Sequence, residues 1–415
     1  MERLIIKGGI PLHGVVGING AKNSVLPLMA ASLLAEGTHQ FSNVPTLRDV
    51  LTMQRLLTHL GIPSQLEEKN LTLVTNGLKS EEAPYDLVKT MRASVLVLGP
   101  LLARWGKARV SLPGGCAIGA RPIDLHLNAL KQLGAEIEIK EGYVEARAQR
   151  LQGAEIIFNI VTVTGTENIM MAAALAEGTT ILKNAAREPE ITDLANYLNK
   201  MGAHIEGAGS DTITIKGVSS LKATQHKVIA DRIEAATFLM AGAVTGGSVA
   251  VKDCPAEFLE APLQLLKETG CKIDITNQQV ALTAPKRLAS RNLTTSPFPG
   301  FATDLQAQFM TLMTKAEGTS LITETIFENR FQHALELKRL GADITLEGHT
   351  ATVRGVEKLS GAPIMATDLR ASASLVLAGL AAEGTTTVDR SYHIDRGYEH
   401  IEEKLALLGA KIRRE

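Results

Sequence analysis

An amphipathic helix that stops at a glycine occurs six times in the chain: LTHLGIP, LKQLGAE, LNKMGAH, LKETGCK, LKRLGAD and LALLGAK. The glycines, Gly61, Gly134, Gly202, Gly270, Gly341 and Gly409, are spaced by 73, 68, 68, 71 and 68 residues. A second phrase recurs a helix and a strand earlier each time: LAEGTHQF, LARWGKARV, LAEGTTIL, AVTGGSVAV, TKAEGTSLI and LAAEGTTTV. Repetition at a near-constant period means that one supersecondary unit is copied and that the copies bury their apolar faces on each other. Any fold for this chain is therefore built from six similar parts.

Within each copy the local signals are alike. An Ala/Leu-rich helix ends at a glycine, as a left-handed C′ position requires. A β-branched strand follows (TTILKNA, TSLITET, TTTVDRS), then an amphipathic helix such as LRDVLTMQRLLTHLG with apolar residues at helical spacing. Two short strands close the copy, as in AHIEGAGSDTITIKG. The order is β-α-β-α-β-β, an α/β class. Closing strands DTITIKGVSSL (211–221) and HTATVRGVEKL (349–359) end the third and fifth copies, whereas the sixth stops at LLGAKIRRE without one. The chain begins MERLIIKGGIPL, which has the same look, so the N-terminus is expected to supply the missing strand. Three copies, residues 22–229, would form one domain; residues 1–21 with 230–415 would form the other. The chain would then cross between them twice, near 21 and near 230, a geometry suited to hinge closure over a ligand. An elongated solenoid of six stacked units is the alternative, although solenoid repeats usually run about 20 to 50 residues.

Composition excludes several function classes. In 415 residues the formal net charge is −1, with no basic tract, so neither nucleic acid nor an acidic surface is an expected partner. The three cysteines, Cys116, Cys254 and Cys271, form no disulfide framework and no zinc spacing, which makes a reducing cytoplasm the expected compartment. The apolar run VLPLMAASLLA (25–35) reads as a buried helix, leaving no targeting or membrane segment. GGIPLHGVVGING matches neither dinucleotide nor P-loop spacing, and no cluster suggests a metal or other cofactor.

The starts of the Ala/Leu-rich helices carry the chemistry. Lys22 and Asn23, Arg92, Glu167 and Asn168, Asp231, Arg232 and Glu234, Asp304, and Asp368 and Arg370 all fall there. Helix N-termini present free N–H groups and partial positive charge. N-capping accounts for Thr166, Thr303 and Thr367. It does not account for Lys22, Arg92 and Arg370, cations placed against a positive helix end, and an anionic ligand would resolve that conflict. AAREPEI (185–191) and SYHIDRGYEHIEEKL (391–405) read as mostly solvated turns, with Arg396 singled out just before the last helix. His126 and His393 are acid–base candidates that read more simply as packing residues, and Cys254 and Cys271 read as structural. Cys116 differs: LPGGCAIGARPIDLH sets it in an open glycine-rich loop, five residues before Arg121.

From residue 1 to 415 the motifs INGAKNSVLPLMAASLL, PGGCAIGARPIDLH, NAAREPEI, ADRIEAATFL, PGFATDLQAQ, ENRFQH and ATDLRASASLVLAGLAAEGTT resemble the UDP-N-acetylglucosamine enolpyruvyl transferases. That family (1-carboxyvinyltransferases) catalyses the first committed step of bacterial peptidoglycan synthesis. The resemblance implies two inside-out α/β barrels of three repeats each, with the active site in a cleft between them and no cofactor. It implies that phosphoenolpyruvate is held by Lys22, Asn23, Arg121, Arg370 and Arg396. It implies that the sugar nucleotide meets Asn23, Arg92, Arg121, Pro122, Ile123, Asp124, Leu125, Val161, Thr162, Val163, Thr164, Asp304 and Ile326. Asp304 is then the base for the sugar hydroxyl. Cys116 is the acid, on a lid loop, and the site of covalent attachment of phosphoenolpyruvate and fosfomycin. Lys22, Asp368 and Arg396 complete the catalytic set. One departure stands out: the family's KVSVGAT loop reads IVTVTGT at 160–166, so the contact of its lysine is not carried onto Ile160. Two rival readings are the sister enzyme 5-enolpyruvylshikimate-3-phosphate synthase, whose Leu-Gly-Asn-Ala-Gly-Thr run is missing here, and a non-catalytic repeat scaffold.

Overall fold

The computed structural model describes residues 2–112, 123–277 and 279–415, so Cys116, Arg121 and Pro122 lie outside the described residues. The third copy shows the common plan. Glu155–Ile157 runs parallel to Thr179–Lys183, which pairs antiparallel with Thr212–Lys216, itself antiparallel to His204–Glu206. The helices Val163–Ala173 and Pro189–Lys200 fill the two connections, giving β-α-β-α-β-β. Six such four-stranded sheets occur among the described residues, each with the same strand order.

The two helices of a copy differ because their sequences differ. Beyond a polar start that includes Glu167 and Asn168, Val163–Ala173 is small and apolar, and it is buried on every side from Gly165 onward. Pro189–Lys200 carries one apolar stripe, begins with Pro189 in the first turn where no N–H is needed, and lies with one face outward. Inner helices Lys22–Ala31, Leu98–Trp105 and Val163–Ala173 pack together in one half; Arg232–Val244, Gln306–Met313 and Leu369–Ala381 do so in the other. The first copy touches the third as well as the second, through Lys22–Ala31 on Val163–Ala173 and on Pro189–Lys200. A solenoid repeat touches only its sequence neighbours, so ring closure rules out the stacked alternative.

Two kinds of glycine make this packing possible. The six helix-ending glycines all have left-handed φ, between 90° and 108°, a region that strains any side chain. Gly99 serves close approach: a Cβ there would stand 2.3 Å from Asn168 Oδ1 and 2.5 Å from its carbonyl oxygen.

Arg3–Lys7 supplies the strand that the sixth copy lacks. It pairs antiparallel with Thr385–Asp389 on one side (Leu4 opposite Val388) and with Lys411–Arg414 on the other (Ile6 opposite Ile412). The leading strands of the first and fourth copies are exchanged. His13–Gly17 precedes the first inner helix yet pairs parallel with Ser248–Lys252. Gln225–Lys227 precedes the fourth inner helix yet pairs parallel with Gly37–Ser42. The chain accordingly divides into two compact units, one from Gly20 to Ile229 and one joining the residues up to Asn19 with Ala230–Glu415. Each has its own apolar core. The two crossing segments are tied by backbone bonds, Asp231 N–H to Asn19 O (2.8 Å) and Ala21 N–H to Ile229 O (2.7 Å). Among the described residues no helix is long and apolar enough to cross a membrane.

Candidate active site

In the 20–229 unit the polar residues gather where the inner helices begin. Lys22 is the first residue of its helix, no side chain caps the preceding Ala21, and its ammonium lies 3.5 Å from the buried carboxylate of Asp49. Asn23 follows, half-buried. Arg92 opens the 3-10 turn Arg92–Val97 that feeds the second inner helix. Thr162 caps the third, its Oγ1 accepting from Gly165 N–H at 3.2 Å, with Val161, Val163 and Thr164 half-buried around it. Ile160 stands 70% exposed.

Asn168 locks these starts together. Its Oδ1 accepts from Gly99 N–H (2.7 Å), and its amide donates to Val95 O (3.0 Å) and to His126 Nδ1 (3.0 Å). An amide N–H only donates, so the His126 ring carries its proton on Nε2, facing Thr164 Oγ1 at 3.2 Å. Burial, aided by the charge of Arg92, lowers its pKa to about 4. His126 is therefore a neutral packing residue at neutral pH. It lies one turn into Asp124–Gln132, where Ile123 is buried at the cap position, Asp124 is exposed and Leu125 is half-buried.

Two readings from the sequence need correction here. The AAREPEI charges are not a solvated face: Arg187 is exposed, but Glu188 and Glu190 are buried beside Glu167. Burial, and then the charges of Glu190 and Glu188, raise the Glu167 carboxyl well above its ordinary range. The capping threonines are also misassigned: Thr162 and Asp368 cap the helices at Thr166 and Thr367, and no side chain caps the turn that opens at Thr303. Thr166 instead donates to Thr162 O (2.7 Å), Thr303 to Glu324 Oε2 (2.9 Å) and Thr367 to Asp368 Oδ2 (3.5 Å). Each threonine hydroxyl donates to a nearby acceptor, as short hydroxyl side chains commonly do beside a helix start.

In the 230–415 unit Asp304 sits between two arginines. Arg330 Nη2 donates to its Oδ1 at 2.8 Å, and Arg370 Nη2 to its Oδ2 at 2.9 Å. Both guanidinium groups are buried, while the Asp304 side chain keeps 26% exposure. Burial works against the charge of Arg370, but Asp304, Tyr398 and Asp231 outweigh it and raise its pKa. The Arg370 Nε and Nη1 groups have no acceptor among the described residues. Asp368 caps this helix, its Oδ1 accepting from the N–H groups of Arg370 (3.0 Å) and Ala371 (3.1 Å). Ile326 lies on a turn shaped by Glu324, whose Oε1 accepts the Ile326 N–H at 2.8 Å. Arg396 closes the 3-10 turn Ser391–Arg396, which also carries His393, half-buried. Cys254 and Cys271 are buried thiols.

Sequence reasoning missed Arg330 and Tyr398. Arg330 stands in ENRF with no helix start to mark it, and its pairing with Asp304 is a long-range contact. Tyr398 lies beneath Arg370, 5.6 Å from ring centre to guanidinium carbon, and its hydroxyl bonds Thr237 Oγ1 at 2.9 Å. The structure thus brings Asp304 and Arg370 into one ion-pair cluster, and Thr164, His126 and Asn168 into one hydrogen-bonded group.

The comparisons agree with this chemistry. A family model described as EPSP synthase (3-phosphoshikimate 1-carboxyvinyltransferase) matches residues 6–405. The chain is 58% identical to a UDP-N-acetylglucosamine 1-carboxyvinyltransferase of Myxococcus xanthus, covering 100% of both chains. It is 59% identical to one of Trichlorobacter lovleyi, covering 100% of this chain and 99% of that one. Among solved structures, the enolpyruvyl transferase NikO from Streptomyces tendae aligns with TM-score 0.89 at 27% identity, covering 100% of this chain and 98% of that one. An EPSP synthase of Acinetobacter baumannii aligns with TM-score 0.78 over 100% of both chains, and at 19% identity it speaks for the fold alone. Matched from end to end in sequence and in fold, the chain belongs to the enolpyruvyl (carboxyvinyl) transferases, the family of its UDP-N-acetylglucosamine 1-carboxyvinyltransferase relatives.

Proposed function

We infer that the protein transfers the enolpyruvyl group of phosphoenolpyruvate to the 3′-hydroxyl of UDP-N-acetylglucosamine and releases phosphate, the first committed step of peptidoglycan synthesis. The observation that carries this reading is Arg370, a buried, permanently charged guanidinium with two donor positions unanswered among the described residues. Phosphoenolpyruvate carries a carboxylate and a phosphate, the acceptors that a planar guanidinium matches. Lys22, Asn23, Arg121 and Arg396 complete its binding set. The sugar nucleotide is held by Asn23, Arg92, the run Arg121–Leu125, Val161–Thr164, Asp304 and Ile326. Ile160 offers no charge to a phosphate, so the loop acts through backbone and hydroxyl groups.

The reaction is addition followed by elimination. Asp304 accepts the proton of the 3′-hydroxyl as that oxygen bonds to C2, while C3 takes a proton from Cys116. The tetrahedral adduct then returns a proton from C3 to the Cys116 thiolate and expels phosphate, which leaves with the proton Asp304 took, restoring the double bond. An anion that engages Arg370 competes with Asp304 for it, so donor binding changes the partners of the proposed base. Asp368 fixes the backbone that presents Arg370. A cationic neighbour such as Arg121 eases formation of the thiolate that Cys116 becomes on giving up its proton, and that thiolate is also the nucleophile that opens fosfomycin. The unpaired cysteines suit a cytoplasmic setting.

Phosphate release from phosphoenolpyruvate tests the reading, with UDP-N-acetylglucosamine in one tube and shikimate 3-phosphate in another. Release with the sugar nucleotide alone is expected. Release with shikimate 3-phosphate alone would assign the chain to the sister activity, and release with neither would return it to a scaffold. A Cys116→Asp variant is expected to keep turnover and to resist fosfomycin; inactivation at the wild-type rate would remove Cys116 as the alkylated group.

A further inference from the structure

Asp193 is buried in the 20–229 unit on the helix Pro189–Lys200, and its carboxylate collects donors from two distant stretches of chain. Ser24 Oγ donates to Oδ2 in a short hydrogen bond. His226 Nε2 lies 2.8 Å from Oδ1, and the Ile229 N–H lies 3.5 Å from Oδ2. The other ring nitrogen of His226, Nδ1, faces Lys200 Nζ at 3.2 Å. An ammonium only donates, so Nδ1 accepts and the ring proton sits on Nε2, directed at Asp193. Tyr197 packs edge-on against that ring at 5.5 Å, and its hydroxyl meets His39 Nδ1 at 2.5 Å.

Serine, histidine and aspartate together suggest a nucleophile relay, but the connectivity is wrong for one. In such a relay the serine bonds the histidine; here serine and histidine both bond the carboxylate, and Ser24 is fully buried. The arrangement is a junction. Ser24 directly follows Lys22 and Asn23 in the first turn of their helix. His226 and Ile229 belong to the strand Gln225–Lys227 and the crossing segment after it. A buried carboxylate is costly unless donors saturate it, so removing any donor is resisted.

We propose that Asp193 is a positioning residue: it holds the first turn of Lys22–Ala31, and with it Lys22 and Asn23, against the 226–229 segment, while Lys200 and His226 fix its orientation. The inference rests on the reading of Lys22 and Asn23 as phosphoenolpyruvate ligands. The full chain is assayed as wild type, Ser24→Ala, Asp193→Asn and Lys200→Met, with phosphoenolpyruvate and UDP-N-acetylglucosamine varied separately and melting followed alongside. Ser24→Ala and Asp193→Asn are expected to raise KM for phosphoenolpyruvate about tenfold or more, in keeping with loss of a hydrogen bond to a charged group. KM for the sugar nucleotide, which has many other contacts, should move less than about threefold, and Lys200→Met should give the same pattern more weakly. A merely structural role would lower melting without separating the two KM values, and that result overturns the proposal. Ser24→Ala removes only a hydroxyl, so it decides the matter even if Asp193→Asn does not fold. Wild-type protein that releases no phosphate defeats the functional reading itself, whereas wild-type turnover with an unshifted KM in Ser24→Ala defeats the positioning role alone.

Discussion

The two units are made from the same unit copied three times, yet the acids at the starts of their inner helices sit in different surroundings. In the 230–415 unit two acids at inner-helix starts have close cations: the partly exposed Asp304 lies between Arg330 and Arg370, and the buried Glu234 accepts from Lys404 at 2.6 Å. In the 20–229 unit three glutamates crowd together, Glu167 with Glu188 and Glu190, and the nearby His126 is neutral. The backbone plan does not distinguish the units; the residues at the starts of their inner helices do. One scaffold therefore hosts two electrostatic environments, and function follows the residues placed on the fold.

The largest expected effect strikes the paired unit. Asp304→Asn removes the proposed base and leaves two buried guanidinium groups without their counter-charge. Phosphate release should fall about a thousandfold; a variant within a factor of about ten of wild type would take Asp304 out of the proton transfer. In the other unit the sharpest mechanical test is Gly99→Ala. The added Cβ meets Asn168 at backbone and side chain, and overpacking of this kind costs about 1–3 kcal/mol, read as a lower denaturant midpoint at unchanged slope. An unshifted midpoint would mean that the two helices can part without cost.

Effects of pH run in opposite directions at two buried groups. His126 has a folded pKa of about 4 against an ordinary 6.5, so its contribution is full above 6.5 and is lost as pH falls toward 4, about 3 kcal/mol in all. Glu167 has a folded pKa raised above 4.5, so its protonated form favours folding at low pH and that benefit is lost as pH rises through the raised value. Glu167→Gln should thus melt higher relative to wild type as pH increases, with a flatter profile above 4.5. A constant difference across pH would show Glu167 to be ionised in the fold without cost.

Much of this architecture is legible in the sequence because repetition multiplies a weak signal. A single helix-ending glycine is a guess, but six at a near-constant spacing define the unit, and the closing strand absent after LLGAKIRRE points to MERLIIKGG. The exchange of leading strands is less legible, since His13–Gly17 and Gln225–Lys227 are short and carry no mark of their partner. In the candidate site, cations at helix starts stand out because they oppose the helix dipole, which is what singles out Lys22, Arg92 and Arg370 as proposed ligands. Glu188 and Glu190 are misread because acids near a proline look like a solvated helix start, and their burial depends on how neighbouring copies close. Arg330, Asp193 and His226 are invisible for a related reason: their roles lie in contacts 26, 169 and 33 residues apart along the chain.

The strand Arg3–Lys7 also fixes an order of events during synthesis. It is made about 400 residues of chain before the two strands that flank it, Thr385–Asp389 and Lys411–Arg414. At about 5–20 residues per second, the first strand waits roughly 20–80 seconds for its partners. The 20–229 unit, whose last strand ends at Lys227, can assemble its sheets while the rest is still being made. The 230–415 unit cannot finish its last sheet until Lys411–Arg414 has been made, and until then a nascent chain carries an apolar strand with nothing to pair with.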